Sequence, residues 1–391
     1  MFKYQQGAIL VIALLIVSII TALAIDFSSR FQLSIGRADN RIAASRVQQC
    51  VFSIEAAVNW GLLEDRKENE SDHFGSEEKW ADPIVREQLE AYAATDACKD
   101  VDGVNLYLED AQGRFNLNLL ANNREDGPID ASKSFEERYN ANEKRLIRLL
   151  QAVEENLVSV DEAQQITEAV VDWADSDNTV SGSGGAESDF YLSEDKPYRA
   201  ANQSFVSVTE LRLVRGMTDA IYTAIEPYVV ALPDSQVGIN INTAPIEVMR
   251  ALNLRTAPEP LPLEDAQTLE SSRPLKKDGV IVDDPLQNGQ SNQPDKGHAE
   301  VKDFLDSSEF VQVFGVPERG PPSGPPGSPP PPNNLPAPEG LTTETQYFLL
   351  TAEVEIDKVI RRSYSMLRRK TEPRTNAYRM HTVRRGTESV F

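Results

Sequence analysis

Residues Ala8 to Ile25 read AILVIALLIVSIITALAI, an uncharged apolar run that restricts every fold open to the chain. As a helix rising about 1.5 Å per residue, such a run nearly crosses a hydrocarbon core about 30 Å thick. It predicts a transmembrane helix over residues 8–28 behind a short leader, 1–7. Lys3 is the only charge before the run and Asp26 the first after it, which leaves the leader cytoplasmic and the remainder outside. A secretory signal peptide is the competing reading, but the run is longer than a usual signal core and no small-residue cleavage site closes it. Apolar positions continue at Phe27, Phe31, Ile35, Ala38 and Ile42, then at Val47, Val51, Ile54 and Val58. Those spacings of three or four, with one slip, describe the stripe of one long helix.

The chain has 391 residues and a formal net charge of -22. That balance argues against a nucleic-acid partner, because neutralising phosphates takes a basic surface. Its three histidines, His73, His298 and His381, have no second ligand-type residue at metal or triad spacing, so the chain is not read as an enzyme. Cys50 and Cys98, both outside the membrane, are either a disulfide or two buried thiols.

Alternation over Val104 to Leu108, turn chemistry at Asp110 to Gly113 and renewed alternation over Arg114 to Leu117 predict a β-hairpin. Tyr347 to Ile356 and Val359 to Leu367 are β-rich runs separated by Asp357-Lys358, and Ala377 to Val383 is a third. The simplest assembly is an α+β fold with a sheet split in sequence. Residues 29–120 then supply the helix and the first part of the sheet, and 341–391 the C-terminal strands. Between them, 121–253 is a helical insertion with periods at Arg145 to Glu154, Val160 to Trp173, Ser207 to Val214 and Ile246 to Leu252. Ser207 with Glu210 makes a capping box, and Thr243 ahead of Pro245 reads as an N-cap. Residues 254–340 are expected to be extended, with one short helix at Val301 to Phe310 and a polyproline-type linker over Pro317 to Pro338.

Seven acids and no base lie between Asp172 and Asp195, interrupted by the glycines and serines of Ser181 to Gly185. Such density repels itself without a cation, and hard oxygen donors on a glycine-rich loop suit calcium better than zinc. Asp175-x-Asp177-x-Thr179 imitates the start of an EF-hand loop, which then fails at Val180 in the sixth position and Ala186 in the twelfth. From composition alone, a solvated acidic loop is the alternative.

The leader MFKYQQG followed by AILVI resembles the processing site of type IV pilins and pseudopilins, although Gln6 stands where a basic residue often precedes the glycine. That resemblance implies cleavage between Gly7 and Ala8 by a prepilin peptidase. Pilin-like subunits usually carry Glu at the fifth mature position; Ile12 stands here, a departure characteristic of the K-type minor pseudopilin of type II secretion. The segment AVVDWADSDNTVSGSGGAESDFYLSEDKPYRAANQSFVSVTELRLVRGM resembles the same family, as do INTAPIEVMRAL and GRFNLNLL. The resemblance implies a pilin-like long N-terminal helix packed on a discontinuous antiparallel sheet, with a large, mostly helical, calcium-binding inserted domain. Carried over by position, the calcium ligands are Asp172, Asp175, Asp177, Glu187 and Asp189, with Asn202 as a further candidate and Glu194 and Asp195 exposed. It also implies a single-pass protein of the bacterial inner membrane with its bulk in the periplasm. Its partners would be the I- and J-type minor pseudopilins of a pseudopilus tip, which it caps or nucleates for export of folded exoproteins.

Leu213-Val214-Arg215-Gly216-Met217, with Ile241 to Ala244 later, resembles the helix-hairpin-helix module that grips DNA phosphates through backbone amides. The rival reading is therefore a DNA-binding membrane protein of a competence or type IV pilus system. Against it, Thr218 replaces the second hairpin glycine, the region is acidic and the chain is exported. Lys358 to Arg385 holds ten Lys or Arg and one acid, Glu372, either as a solvated sheet face or as a contact with acidic partners or the acidic insertion.

Overall fold

A computed structural model describes residues 5–68, 98–99, 101–121, 129–130, 132–254, 257–273, 298, 300–314, 340–356, 359–372 and 378–386. The expected linker over Pro317 to Pro338 and the Asp357-Lys358 turn lie outside them. Helix α1 runs unbroken from Gln5 to Glu68, through Gly7 and Ala8. Its apolar positions from Leu10 to Ile42 are exposed, whereas Val47, Cys50, Val51, Ile54, Val58 and Leu62 are buried. The slip in the stripe falls where the exposed part ends and the face packed on the sheet begins.

That sheet is four-stranded and antiparallel, in the order β1 (Gly103–Asp110), β2 (Tyr347–Ile356), β3 (Val359–Thr371) and β4 (Tyr378–Gly386). Leu106 lies opposite Ala352 and Asp110 opposite Phe348, so strands from the two ends of the sequence pair directly. Because strand side chains alternate, β2 has two apolar faces. Phe348, Leu350, Ala352, Val354 and Ile356 pack on α1, and Tyr347 and Leu349 pack on Val230, Leu232 and Val237 of the insertion. A disulfide joins Cys50 to Cys98, with Cα atoms 4.8 Å apart.

The predicted hairpin does not form. Past β1, Asp110 caps a 3-10 turn at Ala111–Gly113 and Asn116 caps a second at Leu117–Leu119, each accepting from the amide two residues on. These caps carry the chain forward into the insertion instead of reversing it, and Phe115–Asn116 pairs in parallel with Val229–Val230. Phe115, Leu117, Leu119 and Leu120 already belong to the insertion's core, ahead of a boundary at 121.

Helices Ala141–Ala152 and Val160–Ala174 form the centre of the insertion, each opened by a capping box, Asn140 with Glu143 and Ser159 with Glu162. The Ser207–Glu210 box forms as expected, on a 3-10 helix, Val208–Leu213. Thr243 does not cap Ile246–Ala251, because its hydroxyl donates to Asp110 at 2.7 Å and Pro245 holds the cap position. The described part of 254–340 is helical rather than extended, at Leu263–Ser271, Val301–Leu305 and Ser308–Phe314. Leu261, Ala266, Leu269, Phe304, Phe310 and Val313 add to the same core.

Asp110 joins the insertion to the sheet. Its buried carboxylate accepts from Gln112 N at 2.8 Å, Asn240 Nδ2 at 2.8 Å, Thr243 Oγ1 at 2.7 Å and Thr345 Oγ1 at 2.6 Å. Burial raises its pKa, and the four hydrogen bonds act in the opposite direction. A Cβ on Gly113 would lie 2.8 Å from the Thr243 carbonyl oxygen, so the approach at this joint depends on glycine.

Candidate metal centre

On helix Val160–Ala174, Glu168 and Asp172 are one turn apart and both buried. The glycine-rich run wraps its backbone amides around them. Ser183 N and Gly184 N donate to Glu168 Oε2 at 3.0 and 2.6 Å, and Ser181 N lies 3.1 Å from both oxygens of Asp172. Gly182 has φ +56°, and a Cβ there would come within 2.2 Å of the Glu168 carboxylate. The glycines therefore allow a close approach of amides to carboxylates rather than supplying a loose loop of ligands. Glu168, which also accepts from Tyr139 Oη at 2.8 Å, was missed in the sequence. Its signal was a carboxylate one turn before Asp172 on the same helix.

The helix ends at Asp175, whose amide donates to the Val171 carbonyl at 2.9 Å. Asp175, Asp177 and Glu187 each place a carboxylate oxygen within 4.8 Å of the others. Glu187 precedes the short helix Ser188–Leu192 without capping it through its side chain. Both Glu187 oxygens and Asp175 Oδ1 are buried without a hydrogen-bond partner, while the exposed Asp177 accepts from Thr179 N at 2.7 Å. Asn202 comes back beside them with φ +45°, its amide donating to the Trp173 carbonyl at 3.0 Å. Asn202 Nδ2 donates to the Asp177 carbonyl at 2.5 Å, and its Oδ1 is buried without a partner.

Burial, followed by the Asp177 charge, pushes Asp175 up to about 6. Burial and the charges of Asp172, Asp175 and Asp177 push Glu187 up to about 7. Asp172 is also pushed to about 7, by burial first and with Asp175 adding, against hydrogen bonds from Ser181 and Ala186. Carboxylates desolvated together in this way, with orphaned oxygens converging, fit a hard cation with oxygen ligands. Asp172 borders the group, but the Ser181 amide occupies its oxygens. Asp189 is exposed and stands outside the group, as are the exposed Glu194 and Asp195. Relative to an EF-hand loop starting at Asp175, Glu187 lies one position beyond the usual glutamate, and this is how the cluster escapes that motif.

Amides of the hairpin-like turn around the exposed Gly216 are engaged within the chain. Arg215 N donates to Tyr191 Oη at 3.2 Å and Met217 N to the Val214 carbonyl at 3.1 Å, so amides that would grip a phosphate are used internally. Arg215 Nη1 reaches the Gly185 carbonyl at 3.0 Å and buttresses the glycine cradle. Four of the ten basic residues in the C-terminal run form ion pairs within the chain: Arg362 pairs with Glu353, Arg379 with Glu372, Arg385 with Glu55, and Arg368 with Asp234 of the insertion.

A family model described as type II secretion system (T2SS), protein K matches residues 113–234, the stretch holding the cradle and the acidic cluster. Type II secretion system protein K of Aeromonas hydrophila is 34% identical over 276 residues, 70% of this chain and 77% of that protein. The protein of the same name from Pseudomonas aeruginosa is 31% identical, covering 64% of this chain and 69% of its own length. The chain belongs to the type II secretion system protein K family. Its fold is shared with a chain in the crystal structure of the GspK-GspI-GspJ complex from enterotoxigenic Escherichia coli, at a TM-score of 0.59 and 22% identity over 88% of this chain and 97% of that one. This protein K family member thus has the pilin-like α+β fold, and the DNA-binding alternative is not favoured. Among the described residues, one helix, near the N-terminus, is long and apolar enough to cross a membrane.

Proposed function

We propose that this chain is a calcium-binding minor pseudopilin that caps or nucleates the tip of a type II secretion pseudopilus. α1 anchors it in the inner membrane after a prepilin peptidase cuts between Gly7 and Ala8, and the sheet and insertion stand in the periplasm. The observation that carries the reading is the fixed mounting of a large helical head, through Asp110, on a pilin-like body whose fifth mature residue is Ile12. A carboxylate within lipid is costly unless paired, and a subunit with nothing to pair above it has no need of one. A head of that size leaves no room for a further copy to stack, which suits a tip. I- and J-type minor pseudopilins are its partners, and folded exoproteins are the cargo moved by the assembly.

Calcium is held by Asp175, Asp177 and Glu187, with Asn202 Oδ1 beside them. The support is chemical: three carboxylates and an amide oxygen, of which the buried Asp175, Glu187 and Asn202 atoms have no hydrogen-bond partner. Co-expression of the full chain in membranes with I- and J-type pseudopilins tests the reading. Detergent extracts should yield a complex of the three, and the complex should weaken when calcium is chelated. Recovery of the chain without either partner would overturn the tip assignment.

A further inference from the structure

The cation cluster and one contact between the insertion and the sheet edge lie four residues apart. From Asn202 the chain runs to Phe205, whose amide donates to Asn118 Oδ1 at 2.6 Å, and then to Val206. The Val206 carbonyl accepts from the guanidinium of Arg384 on the edge strand β4. The same residue is gripped from inside: Val206 N donates to Glu210 Oε1 at 2.8 Å, and Glu210 Oε2 accepts from Trp173 Nε1 at 3.3 Å. Trp173 is two residues before Asp175, and its carbonyl is the acceptor for Asn202 N at 3.0 Å. Its ring also meets Tyr191 edge-on at 5.3 Å, on the short helix that Glu187 begins. Two routes from the cluster, one along the backbone from Asn202 and one through Trp173 and Glu210, thus converge on Val206.

We propose that cation binding at Asp175, Asp177 and Glu187 locks the helical insertion onto edge strand β4 through Val206 and Arg384. This inference rests on the calcium reading above. Without a cation, repulsion among the three carboxylates favours opening of the segment from Ser176 to Asn202. A cation binds only the closed form and shifts the population toward it. Closure fixes Asn202 and Trp173, which hold the Val206 carbonyl toward Arg384. Linkage makes the effect reciprocal, so the Arg384 contact must in turn strengthen cation binding.

The test is amide hydrogen exchange on the full chain in detergent, with calcium or with chelator, for the wild type and Arg384→Ala. Arg384 is outside the ligand set, and its removal leaves the rest of the sheet paired. Calcium should slow exchange ~10-fold both in 176–202 and in β4 of the wild type. In Arg384→Ala the slowing should persist in 176–202 and vanish from β4, and calcium affinity should fall about fivefold. Slowing of 176–202 without β4 in the wild type, or equal slowing of β4 in the variant, overturns the coupling and leaves the cation site standing. An absence of slowing in every segment removes the cation site and the coupling with it.

Discussion

Glu55 in the α1–sheet body and Glu187 in the insertion are both buried carboxylates, 2% and 4% exposed. Glu55 accepts from Ser365 Oγ at 2.5 Å and pairs with Arg385 at 2.6 Å, whereas neither Glu187 oxygen has a hydrogen-bond partner. The body satisfies its buried charge from its own sequence and adds a disulfide across Cys50 and Cys98. The acidic cluster of the insertion gathers charge without a base to meet it, and it is complete only when something from outside supplies positive charge. Apart from edge strand β4, where the insertion docks, the body should therefore be indifferent to calcium and the insertion should not.

The largest effect expected is in the body. Ile54 is fully buried in α1, and Ile54→Ala should cost ~2–5 kcal/mol in chemical denaturation, by equal amounts in calcium and in chelator. Unequal losses would break the division between the two regions.

Next in size, Glu187→Gln should reverse sign with calcium. In chelator it removes repulsion and stabilises by no more than about 1 kcal/mol, since water screens part of that repulsion. In calcium it removes a ligand and destabilises. Thermal melts of wild type and variant under both conditions check this, and a change of one sign in both would contradict it.

A pH series sharpens the same comparison. Asp172, Asp175 and Glu187 have folded-state pKa values raised to about 7, 6 and 7, from 3.8, 3.8 and 4.5. In the chelated protein the folded state therefore keeps protons that the unfolded state has lost. Their stabilising contribution is fully present below the unfolded values and declines as pH rises from about 4 to about 7. Saturating calcium should oppose the decline, because it binds the ionised form. Melting temperature against pH, with and without chelator, gives the two curves. The smallest effect is expected from Asp189→Asn, within about 0.5 kcal/mol under either condition, because this exposed acid stands outside the cluster.

The sequence made the body legible because its signals are long and regular: one long apolar stripe with a single slip, and extended β-forming runs near the C-terminus. The hairpin misreading at Asp110 to Leu117 has a local cause. Asp-x-Gln and Asn-x-Asn can cap a turn that reverses the chain or one that carries it onward, and only the distant partners Asn240, Thr243 and Thr345 decide. Helix Leu263–Ser271 was missed because it buries just Ala266 and Leu269, too few positions for a visible period. At the acidic cluster, residue type pointed to Asp175, Asp177 and Glu187, and the structure brings them together. What spacing could not reveal is that the glycines serve Glu168 and Asp172 by presenting amides, and that Asp189, a candidate taken from the family resemblance, lies outside the group formed by Asp175, Asp177 and Glu187.

The most direct measurement is the melting temperature of the full chain in detergent as calcium is titrated to millimolar levels, beside the same titration of Asp175→Asn with Glu187→Gln. A rise of roughly 5 °C in the wild type, absent from the double variant, is the predicted result. A wild-type melt that does not move with calcium, or a double variant that moves as far, would contradict the assignment of the cation to Asp175, Asp177 and Glu187.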